Sequence, residues 1–383
     1  MNKRVLIYCP VFKPQESGYT HAFEGLIKNL LQAGYRVDVL TKELIPDNIK
    51  EPLSLPNLNV IRFLPQLNIW GFGLFYQFYQ LAKKIVSLNT QYKYDLIICE
   101  TGDEPLLFSF LPKSVCNKTI VRFHSTSDTE YLLYGNHKKY KIRKFFWKHL
   151  ASKKIKHLVA TNNYHLAFAE SKILNKPKLL TKNILTNTVT PLQQNTNKPS
   201  ECIQIIMLGR LDKEGYKQKG FACLVKALHI ISQKHFKKDF TITLIGNGEK
   251  FNFLQEQIAA YPFVKLIPKL NHSEIIQLLL QTDIVILPSL YEGVSMFALE
   301  ALATSNAVIY SATGGLIEMV EKNGILIEPN NEQQLADAIV SLIHHPDLET
   351  LKLESTKIAE KKFSSKVQLQ QFEHILKEVT NAK

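Results

Sequence analysis

The sequence predicts two α/β domains in tandem, each a doubly wound, Rossmann-like domain. Short runs rich in Val, Ile and Leu recur along the 383 residues, with helical patterns between most of them. These runs are apolar at successive rather than alternate positions, which is typical of parallel strands covered on both faces. The chain is also longer than one hydrophobic core usually organises, because cores stop growing at ~250–300 residues.

A polar, proline-flanked segment at 190–200 divides this pattern into two halves and is interpreted as a linker. The predicted domains are therefore 1–190 and 201–364. In the first half we predict strands at 4–9, 36–41, 58–63, 95–99, 118–123, 157–161 and 180–185. In the second half we predict strands at 203–208, 240–245, 264–267, 284–287, 307–310 and 325–327, followed by helices at 348–361 and 365–379.

Composition excludes several classes of protein. The five cysteines are scattered and odd in number, which argues against a disulfide framework or a zinc site. No apolar stretch reaches the ~20 residues that a membrane-spanning helix needs. The short apolar run at the start is interrupted by Pro10, so it is interpreted as a strand rather than a signal peptide. We expect a cytoplasmic protein.

Positive charge is concentrated in the first half of the chain. Residues 1–200 carry 28 Lys and Arg against 13 Asp and Glu, whereas residues 201–383 carry 19 against 21. Nine of these cations lie in 137–156, where Phe145, Phe146 and Leu150 follow helical spacing. A basic helix with an apolar stripe is typical of a segment that lies on an anionic membrane surface. The alternative is a core-packing helix with a solvated basic face.

In the second half, polar and glycine residues directly follow the predicted strands, where doubly wound sheets bind their ligands. Gly209 and Arg210 follow the first of these strands, and Lys219 and Gly220 precede the next helix across a polar loop. Two cations at one strand-to-helix turn indicate a site for a diphosphate. Lys217, in the same loop, is a rival for Lys219. Arg210 and Lys219 could also be ordinary surface cations.

The most specific pattern follows the strand at 284–287. Ser295 is a good N-cap for a helix whose amides at Met296 and Phe297 would face an anion. Glu292 then lies in the loop and Glu300 inside the helix, among apolar neighbours. Carboxylates accept hydrogen bonds from pairs of hydroxyls, which sugars offer and most metabolites do not. The alternative is a solvated loop residue and a surface helix residue.

Glu292 and Glu300 are separated by seven residues, and the pairs Gly-Arg, Lys-Gly and Gly-Gly occur in the expected order. In these features the chain resembles the retaining glycosyltransferases of family 4. The resemblance is strong from 203 to 339 and weak before 191. It implies the GT-B architecture, in which two Rossmann-like domains flank a cleft that holds a nucleotide-sugar. We expect a helix at 365–383 to pack back on the first domain.

The resemblance implies a role for each site residue. Glu292 contacts the donor sugar, Glu300 holds the ribose hydroxyls, and Arg210 with Lys219 neutralises the diphosphate. In the first half, Gly18 gives backbone access near the phosphate, and His124 contacts the transferred sugar from the acceptor side. The chain departs from the family pattern in having a lone glycine, Gly18, in the first loop.

No metal or other cofactor is expected. The chain contains no Asp-x-Asp, the motif with which the other major transferase architecture holds a divalent metal. Protein cations would then stabilise the leaving nucleoside diphosphate. The retaining mechanism is implied by the resemblance alone.

These observations predict a hexosyltransferase of polysaccharide biosynthesis that uses a UDP- or GDP-sugar at the inner face of the cytoplasmic membrane. Its acceptor would be lipopolysaccharide, capsule or a lipid-linked oligosaccharide. A nucleotide-sugar epimerase of GT-B fold is an alternative enzyme. A nucleic-acid-binding module is disfavoured, because recognised motifs for that function are absent.

Overall fold

The computed structural model describes most of the chain. The described residues are 3–15, 17–42, 53–65, 73–99, 105–124, 138, 141, 145, 154–172, 181–192, 202–234, 236 and 239–381. Within these ranges, no helix combines the length and apolar character that crossing a membrane requires.

The first half of the chain alternates strands and helices. Its elements are β1 (Arg4–Tyr8), α1 (Gly18–Gln32), β2 (Arg36–Thr41), β3 (Leu58–Arg62), α2 (Gly73–Tyr92), β4 (Leu96–Cys99), α3 (Pro105–Phe110), α4 (Lys113–Cys116), β5 (Thr119–Phe123), β6 (His157–Ala160), α5 (Asn163–Lys172) and β7 (Thr181–Ile184).

The second half repeats the alternation and ends in helices. Its elements are β8 (Cys202–Leu208), α6 (Lys213–Gln218), α7 (Phe221–Ser232), β9 (Asp239–Ile245), α8 (Phe251–Ile258), β10 (Val264–Ile267), α9 (His272–Leu279), β11 (Ile284–Leu287), α10 (Met296–Ala303), β12 (Ala307–Ser311), a 3₁₀ helix (Gly314–Met319), β13 (Gly324–Ile327), α11 (Glu332–Ile343), α12 (Leu348–Phe363) and α13 (Ser365–Asn381).

All the described strands pair in parallel, in two separate sheets. The first sheet has the order β3-β2-β1-β4-β5-β6-β7, and the second has the order β10-β9-β8-β11-β12-β13. Every predicted strand is confirmed, with ends within one residue of those predicted. The pattern succeeded because the central strands β4, β5, β11 and β12 are buried at every position, as strands between two helical layers must be.

The chain divides into two compact units that differ from a simple cut at the linker. One unit comprises Met1–Thr188 with Ser365–Lys383, and the other comprises Val189–Ser364. Helix α13 therefore belongs to the first unit. Its side chains Phe372 and Ile375 are buried in the core that α1 and β1 also line.

Arg122, on β5, fixes the segment by which the chain leaves the first unit. Its guanidinium is fully buried and donates to the carbonyl oxygens of Leu185 and Thr186 at 2.8 and 3.2 Å, and to Asn187 Oδ1 at 3.0 Å. A rigid planar donor group suits three acceptors in fixed positions. The end of β5, which carries His124, is thereby tied to the exit segment.

Candidate active site

The order of the second sheet places its ligand crevice between β8 and β11. The connections from β8 run to one side of the sheet, toward β9 and β10, and those from β11 run to the other, toward β12 and β13. In doubly wound sheets a crevice opens at this switch point, outside the carboxyl ends of the strands. The loops that follow β8 and β11 are therefore the ones that form the candidate site.

The loop after β11 is held on one side by the turn that precedes α7. Gly220 is the N-cap of α7 and has a φ of +77°, a left-handed conformation that favours glycine. A Cβ there would collide with the carbonyl oxygen of Pro288. The amide of Leu290 donates to the carbonyl of Gln218 at 2.8 Å. The Lys219-Gly220 turn and the loop after β11 therefore pack backbone to backbone.

The same loop is held on its other side by the Gly314-Gly315 pair. Gly314 has a φ of +53°, and a Cβ on it would collide with the carbonyl oxygen of Glu292. The amide of Gly315 donates to the carbonyl of Gly293 at 3.1 Å. These glycines thus allow the backbone of Glu292 to approach closely. Glu292 is therefore fixed between two neighbouring loops.

Glu292 is almost fully buried, with 6% of its surface exposed, and it forms an ion pair with Lys219. The Lys219 ammonium and the Ser289 hydroxyl both donate to the same carboxylate oxygen, Oε1, the latter over 3.0 Å. A carboxylate buried to this degree is costly without partners. The ion pair brings together two of the predicted site residues.

The segment between Arg210 and Lys219, predicted to be a polar loop, is in fact helical. Asp212 caps α6 by accepting from the amide of Gly215 at 2.7 Å. The sequence pattern missed this helix because it has fewer than two turns and no apolar period. Lys217 lies exposed on it.

Arg210 is exposed beside α6. Its guanidinium pairs with Asp212 over 3.3 Å and donates to Gln218 Oε1 over 3.2 Å. The Arg210 side chain is 61% exposed, so the charge is accessible to an anion.

Helix α10 begins where the sequence predicts. Ser295 is its N-cap, and the Ser295 hydroxyl accepts from the amide of Ala298 at 3.4 Å. The amides of Met296 and Phe297 make no hydrogen bond with another described residue. The Phe297 side chain packs in the core, with 7% exposed. Met296 and Phe297 have apolar side chains, so only their backbone amides are suited to binding an anion.

Glu300 lies on α10 with 7% of its surface exposed. Its Oε1 is 2.8 Å from Nε2 of His272, the first residue of α9. The motifs in the sequence gave no role to His272, although its position just beyond β10, at the carboxyl edge of the sheet, was a usable signal. This contact directs the Glu300 carboxylate toward His272 at the start of α9.

In the first unit, His124 lies at the carboxyl end of β5 beside the start of α1. Its ring centroid is 5.4 Å from that of Tyr19 and 5.5 Å from that of Phe23. Gly18 is the exposed first residue of α1, whose N-cap, Ser17, forms a capping box with Thr20. The two predicted residues of this unit, Gly18 and His124, therefore lie at the same edge of the first sheet.

A second histidine, His165, lies at this edge, on α5 after β6, and is fully buried. Its Nδ1 is 2.9 Å from Thr161 Oγ1 and 3.2 Å from Asn162 Nδ2. Burial, with a smaller contribution from the nearby His124, lowers the pKa of His165 to about 3. The ring is therefore neutral at physiological pH. His165 was not predicted from the sequence, because nothing in the local pattern distinguishes it from an exposed helix residue.

Comparison with known proteins gives a family match over the second unit. Residues 189–360 match the model of the family described as glycosyl transferases group 1. An uncharacterised glycosyltransferase of Methanocaldococcus jannaschii is 26% identical over 339 residues, which cover 82% of each chain.

Two solved structures resemble the whole chain. Sucrose-phosphate synthase from Thermosynechococcus elongatus aligns over all of both chains with a TM-score of 0.75 and 16% identity. Anabaena HepE, solved in complex with UDP and glucose, aligns over 98% of this chain and 100% of its own, with a TM-score of 0.71 and 19% identity. At these identities the likeness shows the fold, which is of the GT-B type.

Proposed function

We propose, from the match of residues 189–360 to the family described as glycosyl transferases group 1, that the chain transfers a sugar from a UDP- or GDP-sugar to a cell-surface glycan. The acceptor is lipopolysaccharide, capsule or a lipid-linked oligosaccharide. Transfer proceeds with retention of the anomeric configuration and without a metal ion. The solved complex of HepE with UDP and glucose supports a nucleotide-sugar donor.

The observation that carries this proposal is the contact between Lys219 and Glu292 at the crevice between β8 and β11. A cation and a carboxylate there match the two parts of a nucleotide-sugar, since the diphosphate needs positive charge and the sugar offers hydroxyl donors. Glu300, one helix turn into α10, is the second carboxylate and holds the ribose hydroxyls.

The departing nucleoside diphosphate is stabilised by groups of the protein. Arg210 supplies an accessible guanidinium, which is suited to bidentate contact with phosphate oxygens. Lys219 and the amides of Met296 and Phe297 add positive charge beside it. Fixed donors of this kind act where charge develops in the transition state.

Bond making and bond breaking occur on the same face of the sugar. The bond between the anomeric carbon and the phosphate oxygen breaks, and the acceptor oxygen bonds to that carbon. The acceptor hydroxyl gives its proton to the departing phosphate oxygen, so no protein base is required. Gly18 lies near the phosphate, and His124 contacts the transferred sugar from the acceptor side.

Incubation with a panel of nucleotide-sugars and glycan acceptors tests this function. With the correct pair we expect release of nucleoside diphosphate, an axial or equatorial linkage matching that of the donor, and a rate unchanged by EDTA. The NMR coupling constant of the product's anomeric proton reports the linkage. Release that needs added Mg²⁺ or Mn²⁺ would contradict the metal-free mechanism. Release of nucleotide without any acceptor, together with an epimerised sugar, would indicate an epimerase instead.

The acceptor is reached at the inner face of the cytoplasmic membrane, through the basic segment 137–156. Most of this segment lies outside the described residues, but Lys138, Lys141 and Phe145 are described as helical and exposed. Positions three and four residues apart in a helix lie on the same face. Two exposed cations and an exposed aromatic ring support contact with anionic headgroups.

Co-sedimentation with liposomes tests the membrane contact. We expect binding to vesicles that contain phosphatidylglycerol, and a loss of at least about tenfold in binding when Lys138 and Lys141 are both replaced by Glu. The matched control replaces Lys265 and Lys269, two exposed lysines of the second unit, by Glu. Equal losses in the two double variants would assign the binding to net charge rather than to this segment.

A further inference from the structure

The two oxygens of the Glu292 carboxylate accept different numbers of hydrogen bonds from the described residues. Oε1 accepts from both the Lys219 ammonium and the Ser289 hydroxyl. No described residue donates to Oε2, although only 7% of the Glu292 side-chain surface is exposed. Oε1 is therefore saturated with donors, whereas Oε2 retains its capacity to accept a hydrogen bond.

The orientation of this carboxylate needs a restraint that the side-chain torsions do not supply. The last torsion of Glu joins an sp³ to an sp² atom, and its energy profile is broad and roughly two-fold. The Glu292 backbone is fixed by its packing against Gly314. Because two donors converge on Oε1, Oε2 is the oxygen that points away from them.

Lys219 alone is a poor restraint. An ammonium is a compact point charge with rotatable donors on a flexible stem. In the proposed function Lys219 also meets the diphosphate, so its hold on Glu292 weakens when the donor binds. Ser289 has no such second partner in the reaction. It lies two residues beyond the end of β11, is fully buried, and its hydroxyl donates to Glu292 over 3.0 Å.

We propose that Ser289 is a positioning residue that holds Oε1 of Glu292 so that Oε2 accepts a hydrogen bond from one hydroxyl of the donor sugar. Ser289 thereby sets which configuration of that hydroxyl the enzyme accepts. This inference rests on the proposed function, in which Glu292 contacts the donor sugar.

Replacement of Ser289 by Ala tests the inference. We expect kcat/KM for the correct donor to fall about 10-fold to 100-fold, the range for a lost hydrogen bond to a charged group. We also expect a smaller ratio of kcat/KM between the correct donor and a nucleotide-sugar with one inverted hydroxyl. A purely structural role would leave that ratio unchanged.

Ser355→Ala is the matched control. Ser355 is a fully buried serine of the same unit, and its hydroxyl donates to the carbonyl of Asn306 at 2.6 Å. The Ser355→Ala variant is expected to have a lower melting temperature and an unchanged ratio of kcat/KM between the two donors. If Ser289→Ala changes the ratio no more than Ser355→Ala does, the proposal is overturned.

The dependence on Glu292 separates this inference from the proposed function. In a Glu292→Gln background, Ser289→Ala should have little further effect on kcat/KM, because the two residues act as one unit. Full activity of Glu292→Gln alone would overturn the role of Glu292 in the proposed function. Low activity of Glu292→Gln with normal activity of Ser289→Ala would overturn only the role of Ser289. Should Ser289→Ala misfold, Ser289→Cys, a near-isosteric weak donor, should give an intermediate ratio; the wild-type ratio in that variant would count against the proposal.

Discussion

Replacing Glu292 by Gln is expected to lower kcat/KM by about 100-fold to 1,000-fold, the range for removing one fixed group that stabilises the transition state. Gln keeps the size of the side chain and an oxygen for the Ser289 hydroxyl. It removes the negative charge that pairs with Lys219 and that strengthens the hydrogen bond from the donor sugar. Steady-state kinetics with the correct donor measure the loss.

The controls for this variant separate catalysis from stability. The ion pair is buried, so the loss of its negative charge also lowers stability by about 1–3 kcal/mol. Thermal unfolding measures that part, and activity is compared well below the melting temperature. Glu256→Gln, at an exposed position of α8, should leave both quantities unchanged. A Glu292→Gln enzyme with normal kcat/KM would remove Glu292 from the donor site.

Gly314→Ala is expected to be the most damaging single-methyl substitution near the site. The added Cβ would collide with the carbonyl oxygen of Glu292, and the φ of +53° is unfavourable for alanine by itself. We expect a loss of stability of about 2–4 kcal/mol and at least a 100-fold drop in kcat/KM, because the Glu292 backbone must move. Urea unfolding and steady-state kinetics measure the two effects.

Gly34→Ala is the matched control for this substitution. Gly34 follows α1 with a φ of +84°, and a Cβ there would have no heavy atom within 4 Å. It shares the left-handed backbone of Gly314 without the collision, so it should cost about 1–2 kcal/mol of stability and leave kcat/KM unchanged. If the two variants lose the same stability and Gly314→Ala keeps its activity, Gly314 does not fix Glu292.

The fold was predictable because burial on both faces leaves a direct mark on sequence. Strand β12, for example, is buried at all five positions, and its run Ala307-Val-Ile-Tyr310 is apolar without alternation. The start of α10 was predictable because the Ser295 N-cap is a local interaction. Helix α6 was not predicted, because its short polar turns are stabilised by the Asp212 cap and by packing rather than by an apolar period.

The candidate site was predictable only in part. The residues after β8 and β11 are marked by their positions, since the ends of parallel strands meet at one edge. Their partners are not marked. Lys219 and Glu292 are far apart along the chain, and the sequence assigned them separate ligands, whereas the structure pairs them. Likewise, the Gly314-Gly315 pair was expected to permit a close backbone approach, but the sequence did not mark the Glu292 backbone as its partner.

The sequence by itself therefore determined the two Rossmann-like units, their strands and the residues at the strand ends, because these depend on periodicity and local capping. Only the tertiary structure decided that the Gly314-Gly315 pair packs against the Glu292 backbone and that Oε1 of Glu292 accepts from both Lys219 and Ser289. Such contacts join residues brought together by the stacking of strands and loops. Their energies depend on burial and distance, which no local pattern of residues records.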